Sequence, residues 1–315
     1  MERKYLNKQP IQNMVNITPK NSTLRTAIAR ATVKVSLEET MRAIEEHRVP
    51  KGDVLSVSRT AGLFAAKRTA DMIPDCHPLP VEYTDIRFAL NGLEIAIEAE
   101  IHTVYKTGVE VEAMHAASVV ALTIYDMLKP IDPNITIEKI GMIEKKGGKS
   151  QLKEAREDFH AAVIVCSDTI SAGKKEDRSG RVIIEKLNAA GVTVNHYLII
   201  PDEAELIQKT VLDYSNQGLN LVIITGGTGL SPRDVTPEAL ITILERRIPG
   251  IEEAIRAYGQ LRTPYSMLSR SVAGLIGETL VLALPGSTSG ASESMDAIFP
   301  GVLHLFKMIR GGKHP

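Results

Sequence analysis

The densest chemistry in the chain lies between Leu219 and Glu238. Leu221 to Ile224 is a short apolar run rich in β-branched residues, the pattern of a strand buried on both faces. Thr225-Gly226-Gly227-Thr228-Gly229 follows directly. Glycines let the backbone approach an anion, and threonine hydroxyls with free N–H groups can hydrogen-bond it. Asp234 falls in the loop before a helix opening at Thr236-Pro237-Glu238, with Thr236 as N-cap and Pro237 at the first helical position. A carboxylate there can hold a hydrated Mg²⁺ beside phosphates. A plain glycine-rich turn is the alternative, but such a turn needs neither two threonines nor a placed aspartate.

Other loops of the second half carry matching residues. Ser167-Asp168 follows the strand pattern Ala161 to Cys166, Pro201-Asp202-Glu203 follows Val192 to Ile200, and Pro285-Gly286-Ser287 follows Thr279 to Leu284. Helix patterns run from Ser179 to Ala190 and from Ala204 to Asn216. Strands alternating with helices predict an α/β three-layer unit with a mostly parallel sheet. Ligands of such sheets bind at the carboxyl ends of the strands. Acidic and glycine-rich loops meeting there suit Mg²⁺-assisted chemistry on a nucleotide phosphate. Each aspartate alone is better explained as a loop cap, and only their common address at the strand ends puts the joint reading level with it.

In the first half the polar constellations are Lys51-Gly52-Asp53, Asp75-Cys76-His77, Glu110-Val111-Glu112, and Asp126 with Lys129. Asp126 and Lys129 lie three apart and share a helix face. Glu112 stands near that helix's start, where the dipole favours a carboxylate. Lysines, a histidine and carboxylates together can transfer protons on a substrate whose phosphates the cations also hold. The bland alternatives are an exposed ion pair for Asp126 and Lys129, a turn residue for His77 and a helix-start charge for Glu110.

The elements that must position these residues follow from pattern. Residues 1–20 read as an extended arm. Ser36-Leu37-Glu38-Glu39 reads as a capping box opening a helix to about His47. A longer helix is expected from Val54 to Met72, and Leu93 to Ile101 alternates as an antiparallel strand. Glu110 to Leu128 reads as a helix whose alanines (113, 116, 117, 121) allow close packing of another helix or subunit, and Ile135 to Ile143 as a strand. Glu144 to Phe159 is charge-dense and reads as the linker region, which gives domains 1–150 and 158–315 joined by 151–157. Gly148-Lys149-Ser150 imitates a P-loop, but Ile143 occupies the place of its first glycine.

At 315 residues the chain has room for two domains. A net charge of −1 gives no electrostatic case for nucleic acid as partner. No apolar run approaches the length of a membrane helix, and Met1 to Lys20 lacks a signal-peptide core. Cys76 and Cys166 stand far apart in no metal spacing, so reduced thiols in a cytoplasmic protein are expected.

Two resemblances sharpen this. In the second half, SDT at Ser167, DRSG at Asp177, IPDE at Ile200, TGGTGLSPRDVTPE, RRIPG at Arg246, MLSR at Met267 and LPG at Leu284 stand in the order of the MogA/MoaB family, over about residues 158–312. That resemblance implies a molybdopterin adenylyltransferase, with Mg²⁺ and ATP as co-substrate. It assigns Asp202 and Asp234 to the essential acidic pair and to Mg²⁺. It assigns the loop Thr225, Gly226, Gly227, Thr228 and Gly229, with Ser167, Asp168, Gly286 and Ser287, to substrate. GSTSG stands where active members commonly carry a GxP form after the last strand.

In the first half, MVNITPK at Met14, KGDV at Lys51, AGLFAAKRTADMIPDCHPLP at Ala61, KTGVEVEAM at Lys106, AASVVALTIYDMLK at Ala116 and GGKS at Gly147 resemble MoaC, the cyclic pyranopterin monophosphate synthases. That resemblance covers about residues 12–150. It implies a ferredoxin-like α+β domain and a homo-oligomer with dimer or trimer contacts, up to a hexamer, with active sites at subunit contacts. The implied reaction turns 3′,8-cyclised dihydro-GTP into the pyranopterin cyclic phosphate with loss of pyrophosphate. Lys51 and Lys129 would act in acid–base steps, with Asp126 orienting Lys129. Asp75, Cys76, His77, Glu110, Val111 and Glu112 would contact the substrate, and Lys67 and Arg68 its phosphates. No bound organic cofactor is expected. The alternative is a MoaC half joined to a catalytically silent MoaB half that serves as a scaffold.

Overall fold

The computed structural model describes residues 14–148 and 158–312, and the chain divides into two compact units, Met1–Gln151 and Leu152–Pro315. The linker stretch 151–157 lies outside the described residues, as do Lys149 and Ser150.

The first unit runs β1 (Thr23–Lys34), α1 (Glu38–Glu45), α2 (Val54–Lys67), α3 (Thr69–Met72), β2 (Tyr83–Asn91), β3 (Glu94–Tyr105), α4 (Glu110–Leu128) and β4 (Thr136–Lys146). Its strands form one antiparallel sheet in the order β2-β3-β1-β4, the ferredoxin-like α+β arrangement. Ala27, Ala29, Ala31 and Val33 of β1 and Ile95, Ile97, Ala99 and Ile101 of β3 point to the buried face. Ala113, Ala116, Ala117, Val120, Ala121 and Ile124 of α4 join them in one core. By length and composition α4 alone among the described helices is long and apolar enough to cross a membrane. Its alanine face is instead the centre of this core.

Three local expectations are corrected. Ser36 does not cap α1; its N–H and hydroxyl both donate to Asp132, and Leu37 holds the N-cap position. The helix expected over Val54 to Met72 breaks at Arg68, where the Thr69 hydroxyl donates to the Ala65 and Ala66 carbonyls and competes with the helical ladder. The charged stretch from Glu144 begins inside β4, which runs to Lys146.

The second unit runs β5 (Phe159–Cys166), α5 (Asp168–Ser171), α6 (Ser179–Ala189), β6 (Val192–Ile200), α7 (Ala204–Asn216), β7 (Leu221–Thr225), α8 (Thr236–Ile241), β8 (Arg246–Arg247), α9 (Pro249–Gln260), β9 (Val272–Ile276), β10 (Thr279–Leu284), α10 (Thr288–Ile298) and α11 (His304–Ile309). The sheet order is β6-β5-β7-β10-β9-β8, parallel from β6 to β10 with β9 and β8 antiparallel at one edge. Alternate residues of β5, β7 and β10 feed two cores, one on each face of the sheet, so those strands are apolar throughout. All four parallel strands deliver their following loops to one end.

Candidate active sites

In the first unit, Lys51 and Lys129 meet on Asp126. Asp53 caps α2 by accepting from Ser56 N–H at 3.0 Å, which fixes the end of the loop that carries Lys51. Lys51 Nζ donates to Asp126 Oδ2 and to the Asp126 carbonyl, each at 2.8 Å. Lys129, the C-cap of α4, places Nζ 2.8 Å from Asp126 Oδ1. The bonds from Lys129 and Lys51 hold the Asp126 carboxyl at a pKa of about 2, and Asp126 in turn raises that of Lys129. Asp126 is therefore an ionised anchor, and movable protons belong to the amines.

A second cluster stands at the other end of α4. Cys76 Sγ donates to Glu112 Oε1 at 3.3 Å. Burial, then the Glu112 charge, pushes the thiol up to about 11, and burial raises the pKa of Glu112. The His77 ring nitrogen Nε2 lies 2.7 Å from the Val15 carbonyl, which ties the start of the described chain to this segment. Glu110 pairs with Lys145 at 3.4 Å. Asp75, Lys67, Arg68 and Val111 are exposed, with the Arg68 guanidinium 5.5 Å from the Phe64 ring centre. Glu112 and Asp126 are fourteen residue steps apart along the helix, roughly 21 Å at the helical rise. One copy of the chain does not bring the two clusters together.

In the second unit the residues singled out do gather, at the carboxyl ends of β5, β6, β7 and β10. Asp168 N–H donates to Asp202 Oδ2 and Asp202 N–H to Asp168 Oδ1, both at 3.1 Å. Ser167 caps α5 through Ile170 N–H. Asp234 Oδ2 accepts from Ser231 N–H at 2.9 Å. A Cβ on Gly227 would stand 2.6 Å from Asp202 Oδ1 and 2.3 Å from Thr236 Oγ1, and one on Gly286 would stand 3.1 Å from the Gly226 Cα. The loops after β6, β7 and β10 are thus in contact.

Two expectations change here. The Thr225 hydroxyl does not face a ligand; it is fully buried and donates to the Pro285 carbonyl at 2.8 Å. Thr236 is not the N-cap of α8, a position Val235 takes; Thr236 is buried as the first helical residue. Ser287, by contrast, caps α10.

Burial, with the charges of Asp168 and Asp234, pushes the Asp202 carboxyl up, whereas Arg233 holds Asp168 below its usual range. Among the described residues no group of three or more His, Cys, Asp and Glu side chains is placed to hold a metal. Mg²⁺ needs less, since it keeps several waters and takes one or two carboxylates together with substrate phosphates. Asp202 Oδ1, buried and without a hydrogen-bond partner, beside the charge of Asp234, fits that need.

Comparison with known proteins agrees with both halves. Residues 14–148 match the MoaC family, and residues 162–304 match a family described as a "probable molybdopterin binding domain". The molybdenum cofactor biosynthesis bifunctional protein of Chlorobaculum tepidum is 40% identical over 316 residues, which is 100% of each chain. The chain belongs to this bifunctional family of molybdenum cofactor biosynthesis. The cyclic pyranopterin monophosphate synthase of Thermomicrobium roseum is 47% identical over 47% of this chain and 90% of its own. A crystal structure of the molybdopterin biosynthesis enzyme MoaB from Thermus thermophilus is 40% identical, covering 49% of this chain and 97% of that one, with a TM-score of 0.47.

Within this family frame, two arginines carry site geometry that composition and periodicity do not single out. Arg233 grips Asp168 with Nε at 3.0 Å and Nη2 at 2.7 Å. Arg270 donates to the Gly229 carbonyl at 2.8 Å and the Asp234 carbonyl at 2.6 Å, and pairs with Glu238. Both stand inside the segments SPRD and MLSR, so the available signal is an arginine in a loop that already carries site residues.

Proposed function

We propose that the first unit converts 3′,8-cyclised dihydro-GTP to cyclic pyranopterin monophosphate and pyrophosphate, and that the second transfers AMP from Mg-ATP to the terminal phosphate of molybdopterin. The observation that carries the first reading is the pair of lysines on one ionised carboxylate. Asp126 fixes both amines, so Lys51 and Lys129 can deliver and receive protons at defined positions. Glu112, whose burial favours its neutral form and which accepts from the Cys76 thiol, can offer a hydrogen bond to the substrate ring.

Two copies of the chain complete this site. Val111, Met114, Ser118, Leu122, Asp126 and Lys129 follow one another at helical spacing along the outer side of α4, with Val111, Met114 and Leu122 exposed. A two-fold partner laid antiparallel on that apolar middle would set Lys129 of one copy beside the Glu112 cluster of the other.

For the second unit, the cradle at Gly227 and the unpaired oxygen of Asp202 support the reading. Gly226 N–H is spent on the Leu284 carbonyl, which leaves those of Gly227, Thr228 and Gly229 for a phosphate. Asp202 and Asp234 would hold Mg²⁺, which when bound offsets phosphate charge and orients the reacting oxygens. Arg270 fixes the backbone on both sides of that loop.

The test assays both activities in the full chain. Lys129→Ala abolishes pyranopterin formation and spares AMP transfer; Asp234→Asn does the reverse, with a loss of about 100-fold or roughly 3 kcal/mol of barrier. Normal pyranopterin turnover by Lys129→Ala refutes the first assignment. A wild type without AMP transfer refutes the second and leaves that unit a scaffold.

A further inference from the structure

We propose that Asp132 is a positioning residue of the first unit's reaction, pinning together the two chain segments that carry Lys51 and Lys129. The inference rests on the assignment of Lys51, Asp126 and Lys129 to that reaction. Asp132 has 0% exposure and sits in the turn after α4, three residues beyond Lys129. Its carboxylate accepts from Ser36 N–H at 2.7 Å, Ser36 Oγ at 2.5 Å, Thr40 Oγ1 at 3.1 Å and Asn134 N–H at 3.2 Å. Burial opposes the charge, but the Ser36, Asn134 and Thr40 bonds outweigh it and hold the pKa below the ordinary carboxylate value.

Ser36 and Thr40 stand at the start of α1, and α1 leads into the loop that carries Lys51. Asp132 therefore makes one corner of the entry to α1 and the exit of α4. Lys51 with Asp126 is a second side-chain link between these stretches of chain, and that pair is exposed. Exposed ion pairs hold long side chains weakly. Without the buried corner, the Lys51 loop and the Lys129 turn would shift independently. Proton transfer tolerates little of that, since a misplacement of about 1 Å costs on the order of 100-fold.

The experiment is Asp132→Asn in the full chain, assayed for pyranopterin formation beside Lys129→Ala. Asparagine keeps the volume but cannot accept every bond that Ser36 and Thr40 donate. The expected result is a kcat loss of about 10- to 100-fold with KM for cyclised dihydro-GTP within about 2-fold of wild type. Unchanged kcat per folded molecule with only a lower Tm makes Asp132 a staple and overturns the inference. Should Asp132→Asn not fold, Ser36→Ala removes one donor and is expected to show the same kcat-selective loss, about 3-fold or more; wild-type kcat in Ser36→Ala overturns it equally. If Lys129→Ala is itself active, the underlying assignment fails and the inference falls with it, whatever Asp132→Asn shows.

Discussion

Asp168 and Asp202 hold each other by reciprocal bonds, each backbone N–H donating to the other's carboxylate at 3.1 Å. Their environments then diverge. Arg233 neutralises Asp168, and burial leaves Asp202 with one oxygen unbonded. Two like charges at neighbouring strand ends are tolerated when one has a cation and the other awaits one. The pair thus separates a structural carboxylate from one available to ligand.

Arg233→Ala tests this division. Asp168 loses its cation and competes for the metal that Asp202 and Asp234 are proposed to hold. AMP transfer is expected to fall about 10-fold, with a higher Mg²⁺ requirement. Both groups are exposed, so melting should barely move. Transfer and Mg²⁺ dependence equal to wild type would make the Arg233 pair a surface ornament.

The glycines of the loop after β7 should fail in two different ways. Gly226 has φ +106, and a Cβ there would stand 2.0 Å from the Cys166 carbonyl oxygen. Backbone cannot yield cheaply, so Gly226→Ala is expected to cost about 3 kcal/mol of stability. Gly229 has no positive φ, and its added Cβ would meet the Asp234 carboxylate at 2.8 Å, the far end of a side chain. Gly229→Ala should keep its melting temperature yet lose AMP transfer by displacing Asp234. Thermal melts and the transfer assay on both variants separate the cases; equal melting of the two contradicts the geometry.

Carboxylates in the first unit predict opposite pH behaviour. Asp126 is depressed, so its contribution is complete above its unfolded value near 3.8 and is lost only as pH falls through about 2. Glu112 is raised above 4.5 by burial, so the native state binds its proton more readily than the unfolded chain. Stability from Glu112 is therefore greatest below about 4.5 and declines as pH rises through the folded value. Glu112→Gln should flatten that decline and melt no lower than wild type at pH 8, while losing pyranopterin turnover about 100-fold. Melting curves from pH 4 to 8 decide it; a Glu112→Gln protein that melts well below wild type at pH 8 would show the charged form to be stabilised instead.

What the sequence disclosed depends on separation along the chain. Asp126 and Lys129 were legible as neighbours because helical spacing brings i and i+3 together. That Lys51 joins them was not legible from spacing, since its partner lies 75 residues away, and only the family resemblance pointed to it. Arg233 with Asp168, 65 apart, and Asp132 with Ser36, 96 apart, share that obscurity. Strand β1 escaped pattern reading because its inward positions are Ala27, Ala29 and Ala31, small residues that carry little of the apolar alternation a strand shows. The parallel strands β5, β7 and β10 were plain, because burial on both faces makes them continuously apolar.

The last prediction concerns the two clusters at opposite ends of α4. Within one copy Glu112 and Asp126 are held apart by rigid helix, so no side-chain motion joins them. A site shared across a two-fold axis contains Lys51, Asp126 and Lys129 from one copy and Cys76, His77 and Glu112 from the other. Lys129→Ala and Glu112→Gln should then each be inactive alone but complement when mixed. In a mixed dimer one site receives both substitutions and the other receives neither. Random reassociation of equal amounts makes half the dimers mixed, each with one intact site, so about one quarter of wild-type turnover should return. The measurement is pyranopterin formation before and after the two variants are dissociated and reassociated together. Recovery near a quarter places the two clusters on different copies. A mixture that stays as inactive as its parents would mean that each copy works alone, and the exposed apolar stripe on α4 would then need another partner.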